Sequence, residues 1–296
     1  MKLTGYKVLT FDCYGTLIDW EAGIHAALQP LLAGAATPPS KDAVIETFAR
    51  HEYFQQAETP RMIYSDVLTA VHRRLADEWG LAASDADHKR FGDSVRDWPA
   101  FPDSAEALTY LKQHYKLVIL SNVDRTGFAG SNARLGVTFD AIYTAQDIGS
   151  YKPDLANFHY MLDHLVELGI AKSDILHTAQ SLFHDHAPAK AVGLASAWID
   201  RRHATGGFGA TMAPPPGASF DVRFNRFRGR AQGGTSGGPT PPLSADPGGP
   251  DRSTLICRRG PKSLPRALRA SVVDRSPAQR SVAQIERRAA ASPDSR

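Results

Sequence analysis

The sequence predicts an α/β fold, a doubly wound parallel sheet with a small helical cap inserted near its start. Three observations predict it. Short apolar runs alternate with helical stretches from about residue 100 onward, the pattern of strands that pair in parallel. Asp12, Ser121, Lys152 and Asp185 all fall just after such runs, on the one rim where open α/β sheets place their chemistry. Between the first strand and the rest, a long helical stretch interrupts the alternation and is positioned to cover that rim.

Taken in order, residues 6–11 read as the first strand, which runs into Asp12, a turn at Gly15 and the hydroxyl of Thr16. From residue 21 to about 97 the apolar positions recur at helical spacing. They are Ile24, Leu28, Leu31 and Leu32, then Val44, Ile45 and Phe48, then Ile63, Val67, Leu68, Val71 and Leu75. Thr37, Pro38 and Pro39 break the pattern, with Ser40 placed to cap the next helix. Residues 99–102 return the chain to the sheet. A helix over 104–113, a buried strand over 117–120 ending at Ser121 and Asn122, a short helix, a strand over 139–143 and a loop over 149–154 follow. A helix over 155–168, a strand over 175–179, a helix over 187–192 and a strand over 196–199 complete the alternation. The expected organisation is a core from residues 1–20 and 99–225, a cap from 21–98, and a tail from 226–296.

The tail differs in kind. Residues 233–239, rich in glycine, and the pair Pro241 and Pro242 cannot build a core. The change is abrupt at Phe224 and Asn225, and two readings stand. One is a shifted reading frame or other non-native extension, because the segment resembles high-GC coding read out of frame. The other is a natural disordered tail. The formal net charge of +3 hides this division. From Arg226 onward 14 Lys and Arg face 5 Asp and Glu, whereas before it 20 face 26. The body is mildly acidic, so the basic balance implies no nucleic-acid partner. No run of about 18 apolar residues is present to span a membrane. The first residues lack the apolar segment and cleavage site of a signal peptide. Cys13 and Cys257 are too few for a disulfide framework, and a cytoplasmic, reduced protein is expected. By strand alternation Cys13 points away from Asp12 and packs.

The four rim positions, in this order, resemble the haloacid dehalogenase-like (HAD) hydrolase superfamily. Asp12-Cys13-Tyr14-Gly15-Thr16 matches its first motif and Ser121-Asn122 its second. Tyr151-Lys152-Pro153-Asp154 matches the third, and the region of Asp185 the fourth. The resemblance covers about residues 4–224 and implies a Rossmann-like core with Asp12 as nucleophile. Within the superfamily, phosphatases carry an aspartate two residues after the nucleophile to protonate the departing alkoxide, and this chain has Tyr14. General acid catalysis is worth roughly 10²–10⁴-fold in rate, so an alkoxide leaving group would suffer from its loss. A halide leaves unprotonated. Asp-x-Tyr-Gly-Thr resembles the type II (S)-2-haloacid dehalogenases, as do Ser121-Asn122 and the run from Trp198 to Arg201.

That resemblance implies attack by Asp12 on the halogen-bearing carbon with inversion, then hydrolysis of the aspartyl ester to a 2-hydroxy acid, with no cofactor or metal. Thr16 would hold the Asp12 carboxylate, and Lys152 would keep it ionised and steady the ester oxyanion. Tyr14 would line the substrate site, Ser121 would bind the substrate carboxylate, and Asn122 would help receive the halide. The family's halide arginine is best matched by Arg50, with Arg61 as its rival. Phe158 stands where the dehalogenases have a tyrosine. In the fourth motif Asp185 and Ser181 are kept, whereas Gln180 and Leu182 replace a serine and an asparagine. His184 and His186 flank Asp185 and could supply a base; a metal set would need a third ligand, and no such pattern lies nearby. A Mg²⁺-dependent phosphatase of the same superfamily, and a catalytically decayed binding protein on the same scaffold, are the alternatives. A small-molecule carboxylate is the expected partner, and the resemblance suggests a homodimer.

Overall fold

A computed structural model describes residues 3–227 together with residues 254–255. The first strand, β1 (Val8–Phe11), is buried at all four positions, as befits a strand covered on both faces. Four helices then leave the sheet: α1 (Trp20–Leu32), α2 (Lys41–Glu58), α3 (Tyr64–Trp79) and α4 (Asp85–Asp93). With the 3-10 turn Ser94–Asp97 they form the cap. Three of the four starts are capped by side chains. Asp19 accepts from the Ala22 N–H, Ser40 from the Ala43 N–H, and Ser84 with Asp87 makes a capping box.

The chain then alternates: α5 (Ser104–Lys112), β2 (Lys116–Ser121), α6 (Arg125–Leu135), β3 (Ala141–Thr144), α7 (Ala145–Ile148), α8 (Leu155–Glu167), β4 (Ile175–Ala179), α9 (Ala187–Ala191), β5 (Ala195–Ile199) and β6 (Val222–Phe224). All six strands pair in parallel, in the order β3-β2-β1-β4-β5-β6. The order reverses around β1, so the crevice at its carboxyl end is the switch point of the sheet. The expected strands and helices are present within a few residues. The short α7 and a five-residue π turn at Leu182–His186 carry no periodic signal and were not expected.

One apolar cluster runs from the sheet into the cap, joining Phe11, Leu17 and Ile18 to Ile24, Phe48, Val67 and Trp98. Helix α1 seats on Trp98 because residue 23 is glycine; a Cβ there would fall 2.3 Å from Trp98 Cγ. Ile63, expected on the buried face, is 38 % exposed because it is the residue before α3 rather than part of its stripe.

The expected boundary at 226 also moves. Arg226–Phe227 forms β7, which pairs in parallel with β8 (Thr254–Leu255). Phe227 is buried, its ring 6.2 Å from that of Phe11, and its N–H donates to Asp103. An aromatic at that position closes the sheet face beside β1, so the folded body includes it. The expectation of a disordered or non-native segment otherwise lies outside the described residues. Among the described residues no helix is long and apolar enough to cross a membrane.

Candidate active site

Asp12 lies one residue beyond β1, its N–H donating to the Thr178 carbonyl on the neighbouring β4. The chain then turns through Gly15, at φ +89°, where a side chain would be strained and its Cβ would meet the Trp20 indole at 2.9 Å. That turn returns Thr16 to Asp12. The Thr16 hydroxyl donates to Asp12 Oδ2 at 2.7 Å and accepts from the Gln180 N–H at 2.9 Å. On the other side Lys152 Nζ donates to Asp12 Oδ1 at 3.0 Å, to Asp185 Oδ1 at 2.6 Å and to the Leu120 carbonyl at 3.0 Å. All three ammonium donors are thereby used.

The Asn122 side chain fixes the loop that carries this lysine. It accepts from the Lys152 N–H at 2.7 Å and donates to the Lys152 carbonyl at 2.9 Å. Asp185 hydrogen-bonds His177 Nε2 at 3.1 Å, and the other ring nitrogen of His177 meets the Thr10 hydroxyl. Phe158, the departure from the tyrosine of the dehalogenases, packs edge-on against His177 with centroids 5.2 Å apart.

Asp12, Lys152 and Asp185 are all buried, and their charges are set by one another. Burial pushes the Asp12 carboxyl up, against the pull of Lys152 and the Thr16 hydroxyl. Burial also opposes the Asp185 charge, but Lys152 and His177 outweigh it and hold that carboxyl well below the usual range. Burial alone would lower Lys152; the two carboxylates keep it above its ordinary value and charged.

These groups floor a narrow cavity of about 20 Å³, with Trp20, Glu52, Gln56 and Tyr64 of the cap as its roof. Tyr14 contributes its ring, while its hydroxyl pairs with Ser131 at 2.8 Å on α6. Asn122 also lines the cavity, and one of its two amide hydrogens is spent on Lys152. Ser121 ends β2 with its hydroxyl buried and unpartnered among the described residues. Ser181 caps the turn that carries Asp185, accepting from the His184 N–H at 2.9 Å. His184 faces the cavity, its Nδ1 near the hydroxyls of Ser181 and Thr211, and burial lowers it to about 4.

Two expectations need correction. His186 does not share the position of His184. It is fully buried between the Ser196 hydroxyl and the Ala179 carbonyl, both at 3.0 Å, because the π turn carries the two rings apart. Arg50 does not reach the site either. It stands on the outer face of α2, bonded to Glu78 at 2.7 and 2.9 Å. Glu52, two residues on and so about 200° around the helix, takes the inward place. Arg61 is also exposed, beside Gly149. Lys152 is thus the only Lys or Arg lining the cavity among the described residues.

Glu52, Gln56, Tyr64, Trp20 and His177 were not singled out as functional in the sequence. For Glu52 a signal existed: it continues the stripe of Val44, Ile45, Phe48 and Ala49 as a carboxylate at a buried position. Thr211 sits in an irregular segment and had none.

The chain belongs to the haloacid dehalogenase-like hydrolase family, whose model matches residues 6–179. An (S)-2-haloacid dehalogenase of Pseudomonas putida is 23 % identical over 215 residues, covering 70 % of this chain and 89 % of that protein. YfnB of Bacillus subtilis is 24 % identical over 203 residues, covering 66 % and 84 %. Its magnesium-bound crystal structure superposes with a TM-score of 0.57. The L-2-haloacid dehalogenase of Xanthobacter autotrophicus, solved with chloropropionic acid covalently bound, gives a TM-score of 0.56 at 21 % identity, covering 66 % of this chain and 78 % of that one. At these identities the solved structures establish the shared α/β fold.

Proposed function

We propose that this chain hydrolyses the carbon–halogen bond of a short 2-haloacid through an ester on Asp12, releasing halide and a 2-hydroxy acid. One observation carries the reading. Asp12 is held at both oxygens, by Lys152 and by Thr16, and the residue two further on is a tyrosine whose hydroxyl is turned onto Ser131. The nucleophile is oriented, and the position two residues after it, where the phosphatases of the family carry their acid, offers no carboxyl group. The relatives that carry a dehalogenase name, one of them solved as a covalent adduct, support the same reading.

In the first step an Asp12 oxygen displaces halide from the α-carbon with inversion. Desolvation in the buried site raises the basicity of that oxygen, which favours attack. The second amide hydrogen of Asn122, which lines the cavity, is the donor for the departing halide, and the unpartnered Ser121 hydroxyl, buried just behind it at the end of β2, is the donor for the substrate carboxylate once substrate opens the site. In the second step water attacks the ester carbonyl, and Lys152 stabilises the oxyanion while Asp185 holds the ammonium in place.

The residues do not fit a divalent cation. Tyr14 takes the place of a second carboxylate, Asp185 is engaged by Lys152 and His177, and no cluster of three or more His, Cys, Asp or Glu suited to a metal exists among the described residues. The test is halide release from (S)-2-chloropropionate and the haloacetates in the presence of a chelator. Release that disappears in Asp12→Asn supports the reading, and silence across the panel sinks it. Chelator-sensitive phosphate release from phosphate monoesters would favour the phosphatase alternative.

A further inference from the structure

The floor of the cavity accounts for the attack by Asp12 but leaves open which group activates the water that must then open the ester. Asp185 has one oxygen committed to Lys152 and His177 and the other buried without a hydrogen-bond partner among the described residues; Lys152 beside it holds it well below the carboxylate range, so it can orient a water but is a poor proton acceptor. His184, engaged at Nδ1 and lowered to about 4, is a weak base as well. Lys152 is charged and has no free donor. One ionisable group of the cavity remains without a role, and it comes from the cap.

Glu52 is 4 % exposed and faces the same cavity as Asp12. Its Oε1 accepts from the Tyr64 hydroxyl at 2.5 Å, while Oε2 makes no hydrogen bond and no cation pairs with the carboxylate among the described residues. The Tyr64 ring lies 6.4 Å from that of Tyr14, which joins this pair to the strand end that carries Asp12. Tyr53, the next residue on α2, packs edge-on against Phe183 at 5.6 Å, so the helix rests directly on the turn that carries Asp185. A carboxylate buried without a counter-charge is costly to keep, and such groups concentrate where a proton has to be moved.

We propose that Glu52 is the general base for the second half-reaction, taking a proton from the water that attacks the Asp12 ester. This rests on the ester route proposed above. Water oxygen bonds to the ester carbonyl carbon as its proton passes to Glu52. The tetrahedral oxyanion faces Lys152 and collapses with cleavage of the bond between that carbon and the ester oxygen. The alkoxide so released takes the proton from Glu52 and leaves as the 2-hydroxy acid. Asp12, now carrying the water oxygen, loses the remaining proton to solvent.

The base must be ionised to act. Burial raises Glu52 to about 7, and the Tyr64 hydroxyl pulls it down. The titratable groups facing it are Tyr64 on α3 and Tyr151 on the loop after α7, with Asp12, Lys152, His184 and Asp185 across the cavity. De-esterification therefore speeds up as pH rises through about 7.

The test is rapid-quench intact-mass spectrometry of Glu52→Gln with whichever of (S)-2-chloropropionate or bromoacetate the wild type turns over. The variant should release one equivalent of halide at the wild-type rate, accumulate the ester on Asp12, and open it at least about 10²-fold more slowly with no pH dependence near 7. Unchanged turnover, or loss of the halide burst without ester accumulation, overturns the proposal and leaves the ester route standing. A wild type that forms neither halide nor ester overturns both. If Glu52→Gln does not fold, Tyr64→Phe decides. Removing the hydroxyl should move the midpoint of the de-esterification profile to higher pH, and an unmoved midpoint overturns the proposal.

Discussion

The two walls of the cavity treat charge in opposite ways. On the sheet side Asp12 and Asp185 share one ammonium, that of Lys152, which donates three hydrogen bonds. On the cap side Glu52 is buried with a phenol as its hydrogen-bond partner and no cation. The contrast teaches that the floor shares one ammonium between two carboxylates, which keeps Lys152 charged and Asp185 ionised. The roof is built to change state near neutral pH. Lys152 and His177 outweigh burial at Asp185 and hold it down, whereas burial outweighs the partners of both Asp12 and Glu52 and raises them.

The largest effect that would break this comparison is at the nucleophile. Asp12→Asn should lower halide release at least about 10⁴-fold, with an unchanged circular-dichroism spectrum, because the Lys152–Asp185 pair survives. Retained turnover would place the nucleophile elsewhere. Next comes the counter-charge. Lys152→Ala leaves two buried carboxylates facing each other and should cost about 3–5 kcal/mol in urea unfolding at pH 7. A loss under 1 kcal/mol, on the order of a surface pair, would show that the floor does not depend on that shared ammonium.

The roof predicts a stability change of opposite sign. The folded-state value of Glu52 is raised, so its contribution is fully present below about 4.5 and is lost as pH rises through about 7. Relative to wild type, Glu52→Gln should therefore be little changed at pH 5 and more stable at pH 8, by up to about 3 kcal/mol. Denaturant midpoints at the two pH values measure this. Comparing variant with wild type cancels His184 and His186, whose values are lowered to about 4 by burial, and whose stabilising effect is present above about 6.5 and lost as pH falls toward 4. The smallest effect is expected at Arg50. As an exposed partner of Glu78, its replacement by alanine should change stability by less than about 1 kcal/mol and leave halide release unaltered. A selective rise in KM would restore it to the halide site.

Much of this was legible beforehand. Asp12, Thr16, Lys152 and Asp185 could be placed on one rim because each follows a buried strand, and strand ends in a parallel sheet share an edge whatever the loops do. Ser40 could be placed as a helix cap because capping is local. Arg50 was misplaced because a helix motif specifies residue types without saying which face turns inward. The inward stripe of α2 runs through Phe48 and Glu52 and leaves Arg50 outside. His184 and His186 read as a pair because they flank Asp185 in sequence, but the π turn separates them. Phe227 reads as tail because its neighbours are those of a linker, yet it meets Phe11 across the sheet.

By itself, then, the sequence determined the α/β fold, the helical insertion, the place of Asp12 at the end of the first strand and the absence of a carboxylate at Tyr14. These depend on periodicity and on residues close together in the chain. Only the tertiary structure decided that Lys152 is shared between two carboxylates, that no arginine lines the cavity among the described residues, and that the cap brings Glu52 to the cavity that Asp12 lines. Those facts join segments far apart in the chain. The reason is physical: a side chain's chemistry is set by its burial and its partners, and both are fixed only when the cap closes on the sheet.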